Sequence, residues 1–247
     1  MSVRFKRSYR DRKQAVAKRK KVIIRTLIII FVFQILFTVF FTTIRIDTIS
    51  MEPSLAEGSV MVYSPITYGY KVEPLNWTLP QINTPDRGDL IVFTPPYINE
   101  KKGIINYISP FIKFLTFGKI DISLIGSEQW DKQLLIKRII AVPGDTIRIK
   151  NFIVAIKTED SDFFLSEFEV IDANYDISVG DLPEGWNNSI PFSGNMNDYE
   201  LEENQYFVLG DNRMQSSDST SWDTLDRNMI RGKVLLTYWP LNKMKFY

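Results

Sequence analysis

Between Arg25 and Ile44 the chain runs TLIIIFVFQILFTVFFTT, 18 residues without a charge. As a helix this stretch is about 27 Å long, close to the thickness of a bilayer's hydrocarbon core. Extended back through VIIR it covers 22–43, with Arg25 able to reach the interface along its aliphatic stem. Gln34 is its one strongly polar side chain, and the bulky FFTTIRI that follows lacks the small residues of a leader cleavage site. Residues 1–25 hold eleven basic side chains and one acid, Asp11. A flank of that sign stays on the cytoplasmic side of a membrane, against anionic lipid. The expected order is a basic cytoplasmic tail over 1–21, one transmembrane helix over 22–43 and an exported domain over 44–247. Because the basic charge ends where the span begins, the expected partner is the lipid bilayer and not a nucleic acid.

The chain has 247 residues, no cysteine and no histidine. Disulfides, a cysteine nucleophile, histidine-ligated metal and Ser–His–Asp chemistry are therefore excluded. Acid–base work near neutral pH would fall to Lys, Asp, Glu, Tyr or a terminal amine. A desolvated lysine is one answer to that restriction.

The exported part is rich in short β-branched and aromatic runs: SVMVYS (59–64), DLIVFTP (89–95), LLIKRIIAV (134–142), TIRIKNFIVAI (146–156), YFVLG (206–210) and KVLLTYWP (233–240). Turn chemistry such as RGD, PGD and GDN bounds them. The expected fold is mainly β: an antiparallel sheet domain with a β-rich accessory insertion behind the membrane helix. Its core is expected over 44–100, 134–157 and 205–243. Residues 101–133, with the interrupted apolar stretch GIINYISPFIKFLTFG, are expected as an insertion, either a surface element dipping into the membrane interface or an ordinary loop or packed helix. Residues 158–204 are expected as an acidic insertion, since 158–212 contain fourteen acids and no Lys or Arg. The EDSD within it lacks the Gly and the terminal Glu of a calcium loop. No metal or cofactor is expected.

One run is odd for burial. In LLIKRIIAV a strand puts Leu135, Lys137, Ile139 and Ala141 on one face, and Leu134, Ile136, Arg138 and Ile140 on the other. A buried ammonium is costly unless it reaches water or loses its proton. An edge strand protected from aggregation by a Lys–Arg pair is the plain explanation. An activated base is the other.

Four blocks in order bear on the choice: SMEPSL (50–55), RGDLIVF (87–93), KRIIAVPGD (137–145) and GDNRMQSSDSTSW (210–222). Together they resemble the bacterial type I signal peptidases, membrane-anchored Ser–Lys proteases that remove signal peptides from exported proteins. The resemblance runs from the hydrophobic segment to about Lys233. It implies Ser50 as nucleophile and Lys137 as general base. Lys137 must then titrate ~2–3 pH units below its usual ~10.4, a bias of roughly 3–4 kcal/mol. The resemblance further implies an oxyanion hole from the Ser50 N–H and the Thr48 hydroxyl. It implies Ser216 as a hydrogen-bond partner orienting Lys137, and an Arg213–Asp218 ion pair as support, with Asp211 and Asn212 making the turn. Ile44, Ile46, Leu55, Leu134, Leu135 and Ile136 stand at family positions that bind substrate, which lies as an added strand beside 134–137. Ala141 stands where the family usually has Gly, and Met214 and Gln215 where it usually has Asp and Asn.

The implied substrates are preprotein signal peptides cleaved after small residues in an A-x-A pattern, with the secretion translocon as a further candidate partner. The implied location is the bacterial cytoplasmic (inner) membrane, with the catalytic domain on the outer, periplasmic side. The alternative from another class is an inactive relative that binds secretion components; it would be marked by loss of Ser50 or Lys137, and both are present.

Overall fold

The computed structural model describes residues 9–69, 71–72, 77–78, 81–97, 112, 122, 134–180 and 194–247. The chain divides into two units, 1–39 and 40–247. In the first, helix α1 runs from Tyr9 to Phe40, so the basic stretch after Tyr9 is helical too. Its described large apolar side chains, including Ile23, Leu27, Ile29 and Phe33, are 40–67 % exposed. Among the described residues, no helix is long and apolar enough to cross a membrane. The far boundary also differs from the expected one. Thr42 and Thr43, expected at the end of the helix, open strand β1 (Thr42–Arg45) instead, where β-branched side chains suit a pleated backbone.

The second unit is built from antiparallel strands. After β1 come β2 (Val60–Ser64), β3 (Lys71–Val72), β4 (Trp77–Thr78), β5 (Leu90–Phe93), β6 (Leu135–Ala141), β7 (Thr146–Lys150) and β8 (Ile153–Lys157). Then follow β9 (Leu165–Ser166), α2 (Glu167–Val170), β10 (Met196–Glu200), β11 (Gln205–Leu209), α3 (Ser219–Trp222), β12 (Leu225–Asp226), β13 (Ile230–Trp239) and β14 (Lys245–Phe246). Among the described residues the main sheet has the order β1-β2-β13-β5-β6-β11-β12, with β14 paired to β13. A second sheet has the order β10-β7-β8-β9, and β3 pairs with β4 alone.

The run 146–156, which reads as one strand, is a hairpin. Asn151 and Phe152 carry φ of 50° and 68°, the backbone of a tight turn. Glycine usually marks such a turn, but Phe152 sits here because its buried ring packs against Gly194. The hairpin belongs to the second sheet, with β9 and β10 beside it. Ile147, Ile149, Val154 and Ile156 alternate inward and bury against Ile140, Phe207 and Leu209 of the main sheet. The expected insertion over 101–133 lies outside the described residues apart from Ile112 and Ile122.

β6 lies between β5 and β11, pairing Ile91 with Lys137 on one side and Leu209 with Arg138 on the other. β11 pairs with it only from Arg138 to Ala141, but Lys137 is 2 % exposed, so a solvent-facing lysine guarding an edge does not explain this residue. An ion pair fixes the turn that follows β6. Arg87 donates twice to Asp145, at 2.8 and 2.6 Å, and Asp145 also accepts from Val142 N–H at 3.0 Å. Asp145 is fully buried. Asp145→Ala would strand Arg87 and a half-buried backbone donor, and should lower the unfolding free energy by about 3 kcal/mol in urea denaturation. A loss below about 1 kcal/mol would mean the pair does not hold the turn.

Candidate active site

Ser50 lies in the loop that carries the chain from β1 to β2. Ile46 N–H donates to Ser59 O at 2.9 Å and Gly58 N–H to Ile46 O at 2.8 Å, closing the loop's base. Inside it, Leu55 N–H donates to Met51 O at 2.8 Å across a turn that holds the cis Glu52–Pro53 bond. Met51 and Leu55 both bury in a cluster with Ile46 and Ile136. The apolar positions of SMEPSL thus anchor the turn, and its serine is left 7 % exposed at the rim.

Lys137 is 2 % exposed at the centre of the main sheet. Its Nζ donates to Ser50 Oγ at 2.5 Å. Thr48 Oγ1 lies 3.1 Å from the same oxygen. Burial pushes the Lys137 ammonium down from 10.5 to about 8, against the opposing pull of the Asp218 and Asp211 charges. Near neutral pH this amine exchanges its proton readily, and the neutral form has a serine hydroxyl within transfer distance.

β11 ends opposite Arg138, and the turn that follows lies against Ser50. Asn212 N–H donates to Ser50 O at 3.1 Å, and its amide reaches Ile49 O at 3.4 Å. A Cβ on Gly210 would collide with Ser50 O and with Ser216 Oγ, so the approach requires glycine. Gly88 plays the same part in the RGD block: its φ is +85° and a Cβ would meet Ile171 at 2.7 Å. Its carbonyl accepts from Arg138 at 3.0 Å.

Two expected supporting contacts are absent. Ser216 Oγ is buried but makes no hydrogen bond among the described residues, and so does not hold Lys137. It lies over Gly210 instead. Arg213 does not pair with Asp218; its guanidinium forms a buried, two-bond pair with Glu167 of α2. Asp218 is committed elsewhere. It accepts from Gly210 N–H at 3.0 Å, and it caps α3 by accepting from Thr220 N–H at 3.1 Å and the Thr220 hydroxyl at 2.7 Å. Asp211 pairs bidentately with Arg138, at 3.0 and 2.6 Å, and Arg138 stacks 4.0 Å over the Tyr175 ring. Met214 packs towards Gly180 and Gln215 is exposed, so neither departure from the family pattern points at the dyad.

Of the residues expected to bind substrate, Ile44, Ile46, Leu55, Leu134 and Ile136 gather in one apolar cluster beside Ser50. Leu135 does not join them. It packs with Phe93, Ile139 and Val208 in a different cluster, because adjacent strand residues face opposite ways. Glu167, Tyr175 and the Arg138–Asp211 pair escaped the sequence reading. Only Arg138 carried a signal: a guanidinium opposite a buried lysine in a central strand needs a counter-ion.

The depressed Lys137 value also bears on stability. The unfolded chain binds this proton up to about pH 10.5 and the folded chain only to about 8. The destabilisation is therefore full below pH 8 and fades as pH rises to 10.5. Lys137→Met should gain up to about 3 kcal/mol over wild type between pH 10 and pH 7. Chemical denaturation of both proteins at the two pH values measures this. A difference that does not change with pH would refute it.

The chain is similar to several known proteins. A probable signal peptidase I-1 from Synechocystis sp. is 26 % identical over 194 residues, covering 78 % of this chain and 69 % of that one. Signal peptidase IB from Staphylococcus aureus strain MRSA252 is 32 % identical over 116 residues, 45 % of this chain. That match spans 56 % of the relative's length. The crystal structure of a signal peptidase I from Enterococcus faecalis V583 aligns with 61 % of this chain and 97 % of its own, at 21 % identity and a TM-score of 0.31. The signal peptidase family model, peptidase S26, matches residues 19–239, and the chain belongs to that family of serine endopeptidases.

Proposed function

We propose that this protein cleaves signal peptides from exported preproteins, with Ser50 as nucleophile and Lys137 as general base. The observation that carries the reading is the 2.5 Å contact between a buried Lys137 Nζ and Ser50 Oγ. Neutral Lys137 takes the hydroxyl proton as Ser50 attacks the scissile carbonyl, then returns a proton to the leaving amine. Water activated by the same amine clears the acyl-enzyme. The Ser50 N–H and the Thr48 hydroxyl stabilise the oxyanion; the position of Thr48 Oγ1, 3.1 Å from Ser50 Oγ, supports its part.

The substrate runs extended beside β6. β11 pairs with that strand only from Arg138 to Ala141, so Leu135–Lys137 have no strand on that side among the described residues. Their backbone groups can take a peptide as an added strand. The apolar cluster holding Ile44, Ile46, Leu55, Leu134 and Ile136 favours small apolar side chains, which fits cleavage after A-x-A. The helical part of the uncharged run, 26–40, serves as the anchor, and its exposed apolar side chains on α1 need an apolar medium. With the basic flank in the cytoplasm, residues 44–247 lie across the bacterial inner membrane, where signal peptides and the translocon are met.

The test is cleavage of a preprotein bearing an A-x-A site by the full chain in detergent. Wild type should cut after the second Ala. Ser50→Ala and Lys137→Met should each reduce the rate by at least ~1,000-fold, and Thr48→Val by ~10–100-fold. Near wild-type cleavage by Lys137→Met would remove the base from the proposal.

A further inference from the structure

The acidic tract after β8 reaches the reacting residues through one side chain. Glu167 is fully buried, at the start of the short helix α2. A reciprocal cap fixes that helix: Glu169 accepts from Ser166 N–H at 2.8 Å while the Ser166 hydroxyl accepts from Phe168 N–H at 3.4 Å. The Glu167 carboxylate accepts from Tyr175 OH at 2.8 Å and twice from Arg213. Arg213 also donates to two carbonyls, Phe152 O at 2.8 Å and Gly210 O at 3.2 Å. Gly210 is the residue whose Cα leaves no room beside Ser50 O. A continuous set of contacts therefore runs from Glu167 through Arg213 and Gly210 to the nucleophile's carbonyl.

Backbone pairing supports the same turn from the same tract. Ser178 N–H donates to Asp211 O at 2.8 Å, and Arg213 N–H to Ser178 O at 2.9 Å. Neither contact depends on the Glu167 charge, which separates holding the turn from neutralising it.

We propose that Glu167 is a positioning residue for the Ser50–Lys137 pair: through Arg213 it seats the Gly210–Ser216 turn against Ser50 and cancels a buried guanidinium charge. This rests on the dyad reading above. The charged groups on the elements packed about Lys137 are Asp211, Arg213 and Asp218 of the turn, Arg138 beside it on β6, Asp89 just before β5, its partner Lys233 and Arg231 on β13, and Asp47 and Glu52 of the Ser50 loop. Asp211 neutralises Arg138, and Glu167 neutralises Arg213. Without Glu167 the Arg213 charge falls on Asp211 and on Lys137, and the protonated form of the base loses ground.

The test compares wild type with Glu167→Gln as full chains in detergent. The Lys137 Cε resonance is followed by carbon-13 NMR across pH, identified by its absence in Lys137→Met, and cleavage kinetics are measured alongside. Glu167→Gln should lower the Lys137 midpoint by about half a pH unit. It should reduce kcat about tenfold with KM within about twofold. Glu167→Asp should regain part of the rate, and Glu167→Gln with Arg213→Met should return the midpoint towards wild type. An unchanged midpoint and kcat per folded molecule in Glu167→Gln would overturn the proposal. Should that variant fail to fold, Tyr175→Phe, which removes only one bond to Glu167, should change both in the same direction by less, and no change would overturn it. If wild type cleaves no preprotein, the proposed function falls, while the midpoint comparison still decides this inference.

Discussion

The Lys137 amine is buried in the middle of a sheet with a serine hydroxyl as its direct partner, and the carboxylates nearest to it are bound to other groups. Asp211 is taken by Arg138, and Asp218 by the Gly210 N–H and the α3 cap. Without that arrangement a carboxylate in contact would keep the lysine protonated, and an amine reaching water would keep its ordinary pKa. Burial costs about 3 kcal/mol of bias against the charged form, and that bias makes the lysine a base near neutral pH.

The rest of the unit serves this one contact. β5 pairs with β6 on one side and β11 covers the other only from Arg138 to Ala141, stopping at Leu209 so that a turn instead of a strand lies next to the nucleophile. The Ser50 loop is pinned by Met51 and Leu55, and Gly210 allows that loop and the turn to touch. The second sheet packs on the first through Ile140, Phe207 and Leu209 and sends Glu167 and Tyr175 to the two arginines flanking the site. Charge is thus compensated in pairs around an amine that is left without one.

Much of this could be read in one dimension because it follows from local rules. Alternation in LLIKRIIAV placed Lys137 on a face with Leu135 and Ile139, and turn chemistry bounded the strands correctly at RGD, PGD and GDN. Where partners are distant in sequence the reading failed. Arg213 and Glu167 are 46 residues apart, and one acid in a tract of fourteen has no mark that it alone is buried. The Asn151–Phe152 turn was hidden because packing against Gly194 outweighs the usual demand for glycine. Leu135 was grouped with Leu134 and Ile136 by family position, although the pleat sends it to the opposite side.

The most direct measurement is kcat/KM for preprotein cleavage by wild type from pH 6 to pH 10. With burial as the activating device, the rate should rise with pH through a midpoint near 8, where Lys137 loses its proton, and level off above it. A profile that is flat across the range, or one still rising towards the ordinary lysine value near 10.5, would contradict the account.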